Sequence, residues 1–161
     1  MIQNMCVIKD LQEHEVPAAA AMLIALPLMN RYRATKERLD VQLRQALCQP
    51  GIAVIVARPD EPGAEIAGLA WFATEGTFLM GGYLKLLALA DQYRGKGLGR
   101  KLLDVVESRV RVRSPYLFLL ASDDNEAAHR FYERLGYVQA GRFEHLVLDD
   151  VNELVYFKKL V

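Results

Sequence analysis

The stretch YLKLLALADQYRGKGLGRKLLDVVESRVRV sets an apolar run, a loop and a helix pattern in immediate succession. The loop, residues 93–101, holds three glycines and four basic residues. A strand must therefore end where a helix begins, and that helix must lie on a sheet. This excludes an all-β or an all-α chain. A helix start of this kind is an anion site. Its first N–H groups have no partner within the helix, and the helix dipole favours negative charge there. Glycines turn the main chain tightly and let a phosphate approach without meeting a Cβ. The spacing is not that of a Walker A loop, because neither Lys96 nor Lys101 is followed by Ser or Thr after G-x-x-x-x-G. Nor is it G-x-G-x-x-G, since the glycines are Gly95, Gly97 and Gly99. The plain alternative for the loop alone is a strand-to-helix turn with a solvated basic face.

The rest of the pattern extends this unit into a sheet. A short apolar run at 5–8 reads as an edge strand, and a helix is expected over 13–26 with Pro17 near its first turn. PLMNRYRAT reads as a linker. Thr35 is an expected N-cap for a second helix carrying Leu39, Leu43, Ala46 and Leu47, ended by Pro50-Gly51. IAVIVA (52–57) and EIAGLAWFA are buried strands around the turn-rich RPDEPGAE. Trp71 is expected to serve packing. TEGTFLMGG connects to the strand at 83–90, and the loop's helix is expected over 97–113. YLFLLA (116–121) is a further strand, and 125–136 a helix capped by Asn125 and ended by Gly136. Residues 137–148 and 153–160 pair around DDVN. The expectation is an α/β (α+β mixed) fold. It has a central mixed, mostly antiparallel sheet of about seven strands flanked by four helices, in a single domain over 1–161.

Composition narrows the function. The chain has 161 residues, 20 basic and 20 acidic, so a general nucleic-acid binder is disfavoured and any anion site must be local. Cys6 and Cys48 form no CxxC pair and have no His at zinc spacing, which reads as two reduced thiols of a cytoplasmic protein with no metal. The apolar run at 16–29 has 14 residues and two prolines, too short for a bilayer and preceded by acidic residues, so no membrane is expected as partner.

Arg94-Gly95-Lys96-Gly97-Leu98-Gly99 matches R/Q-x-x-G-x-G/A, and the 13 residues NEAAHRFYERLGY, 125–137, follow N-x-x-A-x-x-x-Y-x-x-x-G-F/Y. On these two motifs, in this order and on these elements, the chain resembles the GNAT superfamily of N-acetyltransferases, most strongly from Tyr83 to Tyr137. The resemblance implies acetyl-CoA as co-substrate and an amine-bearing acceptor. It implies a sheet splayed between the strands at 83–90 and 116–121. By the same resemblance, the backbone of Gly95, Lys96, Gly97, Leu98, Gly99 and Arg100, following Arg94, holds the pyrophosphate. Leu87, Ala88 and Leu89 bond the pantetheine arm through their main chain, Asn125 bonds the cofactor, and Tyr132 donates the proton to the departing thiolate. Lys96, Arg100 and Lys101 could face the CoA phosphates. His129 borders the Asn125–Tyr132 face and is expected at its rim. Without the motif, Asn125 is a plain cap and Tyr132 a core aromatic.

No general base carries over. The two positions where members of the family place a glutamate are Tyr83 and Leu120 here. Glu75, Asp123, Asp124 and His145 are candidates by polarity alone, and Asn30, Arg31, Tyr32 and Arg33 lie where an acceptor could be met. The expected activity is acetyl transfer from acetyl-CoA to a primary amine of unknown identity. The alternative from another class is a non-catalytic acyl-CoA-binding sensor or regulatory module. A homodimer is compatible with either.

Overall fold

The computed structural model describes residues 5–161. It runs β1 (Cys6–Asp10), α1 (Val16–Ile24), α2 (Pro27–Arg31), α3 (Lys36–Leu47), β2 (Ile52–Pro59), β3 (Gly68–Thr77) and β4 (Gly81–Leu89). Then follow α4 (Leu98–Arg111), β5 (Tyr116–Ser122), α5 (Glu126–Arg134), β6 (Val138–Leu148) and β7 (Val151–Lys159). The expected strands all form, and they are hydrogen-bonded in the order β1-β2-β3-β4-β5-β7-β6, a mixed α/β sheet. The described chain divides into two compact units, residues 5–72 with 86–106, and residues 73–85 with 107–161.

In the first unit β1 pairs antiparallel with β2, from Cys6↔Pro59 to Asp10↔Ile55. Val16, Ala19, Ala20 and Leu23 of α1 meet Leu39, Leu43 and Ala46 of α3 over Val54, Val56, Leu69 and Trp71, all buried. The helical spacing of those apolar residues is what makes α1 and α3 helices in this setting, because each buries one stripe. Trp71 packs in this core, as expected. Thr35 Oγ1 accepts the Arg38 N–H at 3.2 Å and so caps α3. Glu15 is a buried acid held by the Gln12 N–H (2.9 Å) and by Arg58 (3.1 Å).

Two local expectations are corrected. The first helix starts with a single 3-10 turn, Glu13–Glu15, and is α-helical only over Val16–Ile24, with Pro17 in its first turn. Pro27 has no N–H with which to extend it, yet its fixed φ suits a helix start. The linker accordingly folds as a fifth helix, α2, anchored by buried Met29.

In the second unit β4 and β5 pair in parallel from Gly81↔Tyr116 to Leu84↔Leu119, and each strand runs on past its last shared pair. β5 pairs antiparallel with β7 from Tyr116↔Lys159 to Ser122↔Glu153, and β6 pairs with β7 with two irregularities. The expected TEGTFLMGG connection is shorter than read. β3 continues to Thr77 and β4 starts at Gly81, joined by a turn in which Phe78 and Leu79 take φ of 52° and 58°. Non-glycine residues rarely adopt that left-handed region, so no turn residue marked it.

Candidate functional site

The glycine loop belongs to the first unit. After β4 the chain makes a single 3-10 turn, Asp91–Tyr93, and Arg94 leaves it in extended conformation. Gly95 and Gly97 then take φ of 70° and 80°. Both positions are open, with no atom within 4 Å of where a Cβ would stand. The left-handed backbone and the open face each select glycine here. The Lys101 N–H bonds to the Gly97 carbonyl at 3.2 Å, so α4 takes its first turn directly from the loop. The N–H groups of Leu98, Gly99 and Arg100 precede that bond and are the donors a helix start leaves over. A dianionic phosphate fits this cradle on geometry and on charge.

The cations are less uniform than the sequence suggests. Arg94 Nε lies 3.2 Å from Asp91 Oδ1, an exposed pair three residues apart that offsets part of the loop's charge. Lys96 and Arg100 are exposed beside the open glycines. Lys101 is near enough to Cys6 for its charge to act on that thiol, although burial is the larger influence and pushes the Cys6 pKa up. Leu87 and Leu89 are half-buried on β4 and Ala88 is buried. A Cβ at Gly68 would stand 2.7 Å from Leu89 Cδ2 and 2.9 Å from Leu102 Cδ1. Gly68 thus lets β3 lie close against both Leu89 and α4.

Asn125 and Tyr132 belong to the second unit. Asn125 caps α5, its Oδ1 accepting the Ala128 N–H at 3.1 Å, while its own N–H bonds to the Ser122 carbonyl. The cap and a ligand contact are compatible, because Nδ2 is left to donate. His129 Nε2 donates to the same Ser122 carbonyl at 2.9 Å, and its ring lies 5.9 Å from that of Tyr156. That bond and that packing hold the half-buried His129 against Ser122 and Tyr156.

Tyr132 is buried, and burial raises its hydroxyl well above the usual phenol range. Its ring meets Phe131, Tyr137 and Tyr156 at 5.1, 5.5 and 6.3 Å. It is a core aromatic and a candidate proton donor at once.

The polar candidates for a base are dispersed. Glu75, Asp124 and His145 are exposed, His145 with φ of 54°. Asp123 Oδ2 is engaged by Asn152 Nδ2 at 3.0 Å and by Arg142 at 3.4 Å. Asn30, Arg31 and Arg33 are exposed at the end of α2 and Tyr32 is half-buried. Three buried acids were not expected from the sequence: Glu15 before α1, Glu107 of α4 and Glu153 of β7. Glu107 had a signal. It lies four residues after Leu103 and three before Val110, on the apolar stripe of its helix. Among the described residues no group of three or more His, Cys, Asp or Glu side chains could hold a metal ion. No described helix is long and apolar enough to cross a membrane.

A family model for the acetyltransferase (GNAT) domain matches residues 50–139. N-alpha-acetyltransferase 30 of Schizosaccharomyces pombe is 38% identical over 85 residues, 50% of this chain and 54% of that protein. The 5-NmdU N-acetyltransferase of Pseudomonas phage PaMx11 is 38% identical over 58 residues, 36% of this chain and 40% of that protein. The matches thus span about half or less of these curated relatives. Among solved structures, Ard1 of Thermoplasma volcanium superposes with a TM-score of 0.78 at 17% identity, over 97% of this chain and 98% of that one. The ribosomal-protein-S18-alanine N-acetyltransferase of Escherichia coli gives 0.73 at 19%, over 97% and 94%. Both share the fold. The matched domain carries the glycine loop, α4, β5 and α5, and the chain belongs to the GNAT acetyltransferase family.

Proposed function

We propose that the protein is an acetyl-CoA-dependent N-acetyltransferase and that its acceptor is an α-amine of the kind found at a peptide or protein N-terminus. The observation that carries the first part is the cradle: two open, left-handed glycines running into α4. In this reading the amides of residues 95–100 bind the pyrophosphate, Lys96 and Arg100 add local charge, and Leu87, Ala88 and Leu89 offer main-chain groups to the pantetheine arm. Acetyl-CoA bound there supplies a thioester carbonyl as electrophile. Asn125 contributes its Nδ2 donor. Tyr132 holds a proton on its hydroxyl and gives it to the sulfur as the C–S bond breaks. No metal takes part. Residues 1–161 act as one catalytic domain in the cytoplasm, with neither nucleic acid nor membrane as partner.

The acceptor class follows from proton balance. A lysine-type amine, with pKa about 10.4, is neutral in about one molecule in 2,500 at pH 7 and needs a base. An α-amine near pKa 7.8 is neutral in about one in seven and needs far less help. Tyr83 and Leu120 supply no base, and the exposed acids are scattered. The name of one curated relative, N-alpha-acetyltransferase 30, leans the same way, while that of the 5-NmdU N-acetyltransferase does not.

A screen of peptides with free α-amines, α-blocked lysine peptides and polyamines, read by thiol release from acetyl-CoA, tests both parts. Turnover with α-amines above the other classes is expected. Preference for lysine or polyamine overturns the acceptor assignment. Tight acetyl-CoA binding with no thiol release from any amine favours the non-catalytic sensor, the reading that the missing base supports.

A further inference from the structure

The Tyr132 ring is buried against the rings of Phe131, Tyr137 and Tyr156, and how those rings hold it sets where its hydroxyl points. One hold comes from Tyr137, 3% exposed. The Tyr137 N–H donates to the Tyr132 carbonyl at 3.0 Å, closing the end of α5. Its ring meets that of Tyr132 edge-on, at 5.5 Å and 68°. Its hydroxyl donates to Glu107 Oε1 at 2.9 Å, inside the core. Glu107 in turn takes the Lys158 ammonium on both oxygens at 3.0 Å, and that ammonium stands 5.5 Å from the centre of the Tyr137 ring. Tyr137 is therefore tied at its backbone, its ring face and its hydroxyl. Tyr156, whose ring stands 6.3 Å from that of Tyr132, is held by its place in β7, by the His129 ring at 5.9 Å and, at its hydroxyl, by exposed Glu133 at 3.2 Å.

We propose that Glu107 and Tyr137 are positioning residues for Tyr132: buried Glu107, paired with half-buried Lys158, pins the Tyr137 hydroxyl, and the Tyr137 ring fixes the orientation in which Tyr132 presents its own. This rests on the reading of Tyr132 as the proton donor. A carboxylate on the apolar stripe of α4 is an expensive way to fill space, since a leucine would pack there without desolvating a charge. What the carboxylate adds is direction, because it accepts only along its lone pairs and so fixes the far end of a ring otherwise free to slide. The family signature ends on Phe or Tyr at this position, and the hydroxyl in this chain makes the tether.

Tyr137→Phe removes the tether, keeps the ring and leaves Glu107 paired with Lys158. Two measurements on the full chain test the idea. The first needs no acceptor: Tyr132 labelled with 13C at the ring ε carbons reports its flip rate by NMR. Slow flipping in the parent chain and severalfold faster flipping in Tyr137→Phe are expected. An unchanged rate overturns the proposal. The second is a double-mutant cycle on thiol release. Tyr137→Phe should lower kcat about tenfold with KM for acetyl-CoA unchanged, as expected when a reacting group shifts while substrate binding stays intact. It should lower kcat no further in a Tyr132→Phe background. An equal loss in both backgrounds makes Tyr137 a packing residue and overturns the proposal. If Tyr132→Phe itself leaves kcat intact, the reading of Tyr132 fails as well, which separates that failure from failure of the tether alone. Glu107→Gln, which still accepts from Tyr137, should retain more kcat than Glu107→Leu at matched thermal midpoints. Equal losses count against the tether.

Discussion

Tyr132 has a proton that burial makes hard to lose. Transfer from an ordinary phenol near pKa 10 to a free thiolate near 8.5 is already uphill by about 2 kcal/mol, and burial adds to that. In the proposed role the proton must therefore move as the C–S bond breaks, while charge is building on sulfur. Tyr132→Phe should keep the packing against Phe131, Tyr137 and Tyr156 and most acetyl-CoA affinity, and lower kcat by roughly 10²–10⁴-fold. The loss should shrink with acyl donors whose thiol has a lower pKa. A wild-type rate in the Phe variant would mean that water protonates the sulfur. Asn125 divides along its amide, with oxygen committed to the α5 cap and nitrogen free to donate. Asn125→Ala should cost about 1 kcal/mol of stability. Asn125→Asp keeps an acceptor for the cap, so its unfolding midpoint in urea should match the parent while acetyl-CoA binding weakens. Unchanged affinity in the Asp variant would reduce Asn125 to its cap.

The loop and α4 make the clearest case of an element readable in advance. The order strand, Gly95, Gly97, helix is local, and each glycine answers a backbone demand that the structure meets with positive φ. Gly97→Val should abolish CoA binding in calorimetry, because it fills the open face and forces a branched residue into φ of 80°. The stability cost should be about 1–2 kcal/mol. Gly68→Ala acts differently, since its Cβ must displace Leu89 and Leu102. Denaturant unfolding should show a loss of about 1–3 kcal/mol. Elements that tertiary context decides were not legible. α2 is five residues long and stands on the burial of Met29 rather than on any helical period of its own. The β3–β4 turn is built from Phe78 and Leu79, residues no turn rule selects. The link between Glu107 and Lys158 spans 51 positions, beyond any local pattern, although the misplaced charge on the stripe of α4 marked one end of it.

For the whole molecule, balanced charge means that any attraction for an anionic cofactor must come from local clusters such as the loop. With Arg94 paired to Asp91 and Lys101 near Cys6, Lys96 and Arg100 are the main candidates for the 3′-phosphate. Dephospho-CoA should bind about 10- to 100-fold more weakly than CoA at low salt, with the gap closing as salt rises. Equal affinities across a salt series would leave those cations as surface charge. Burial of tyrosine hydroxyls reaches beyond the site. Tyr132 and Tyr156 both have folded-state pKa values above the unfolded value near 10, Tyr132 through burial and Tyr156 through burial and then Glu133. Their contribution is intact below pH about 10 and is lost above it, because the unfolded chain then sheds protons that the folded chain keeps. Lys85, with its pKa lowered by desolvation, works in the opposite sense and offsets part of this loss. Unfolding free energy should fall by up to about 1.4 kcal/mol per pH unit for each such tyrosine, and the slope should be shallower in Tyr132→Phe. This gives the protein an upper limit for handling: thiol-release assays brighten in alkaline buffer, yet a rate that declines above pH about 10 would report lost enzyme rather than a titrating catalyst.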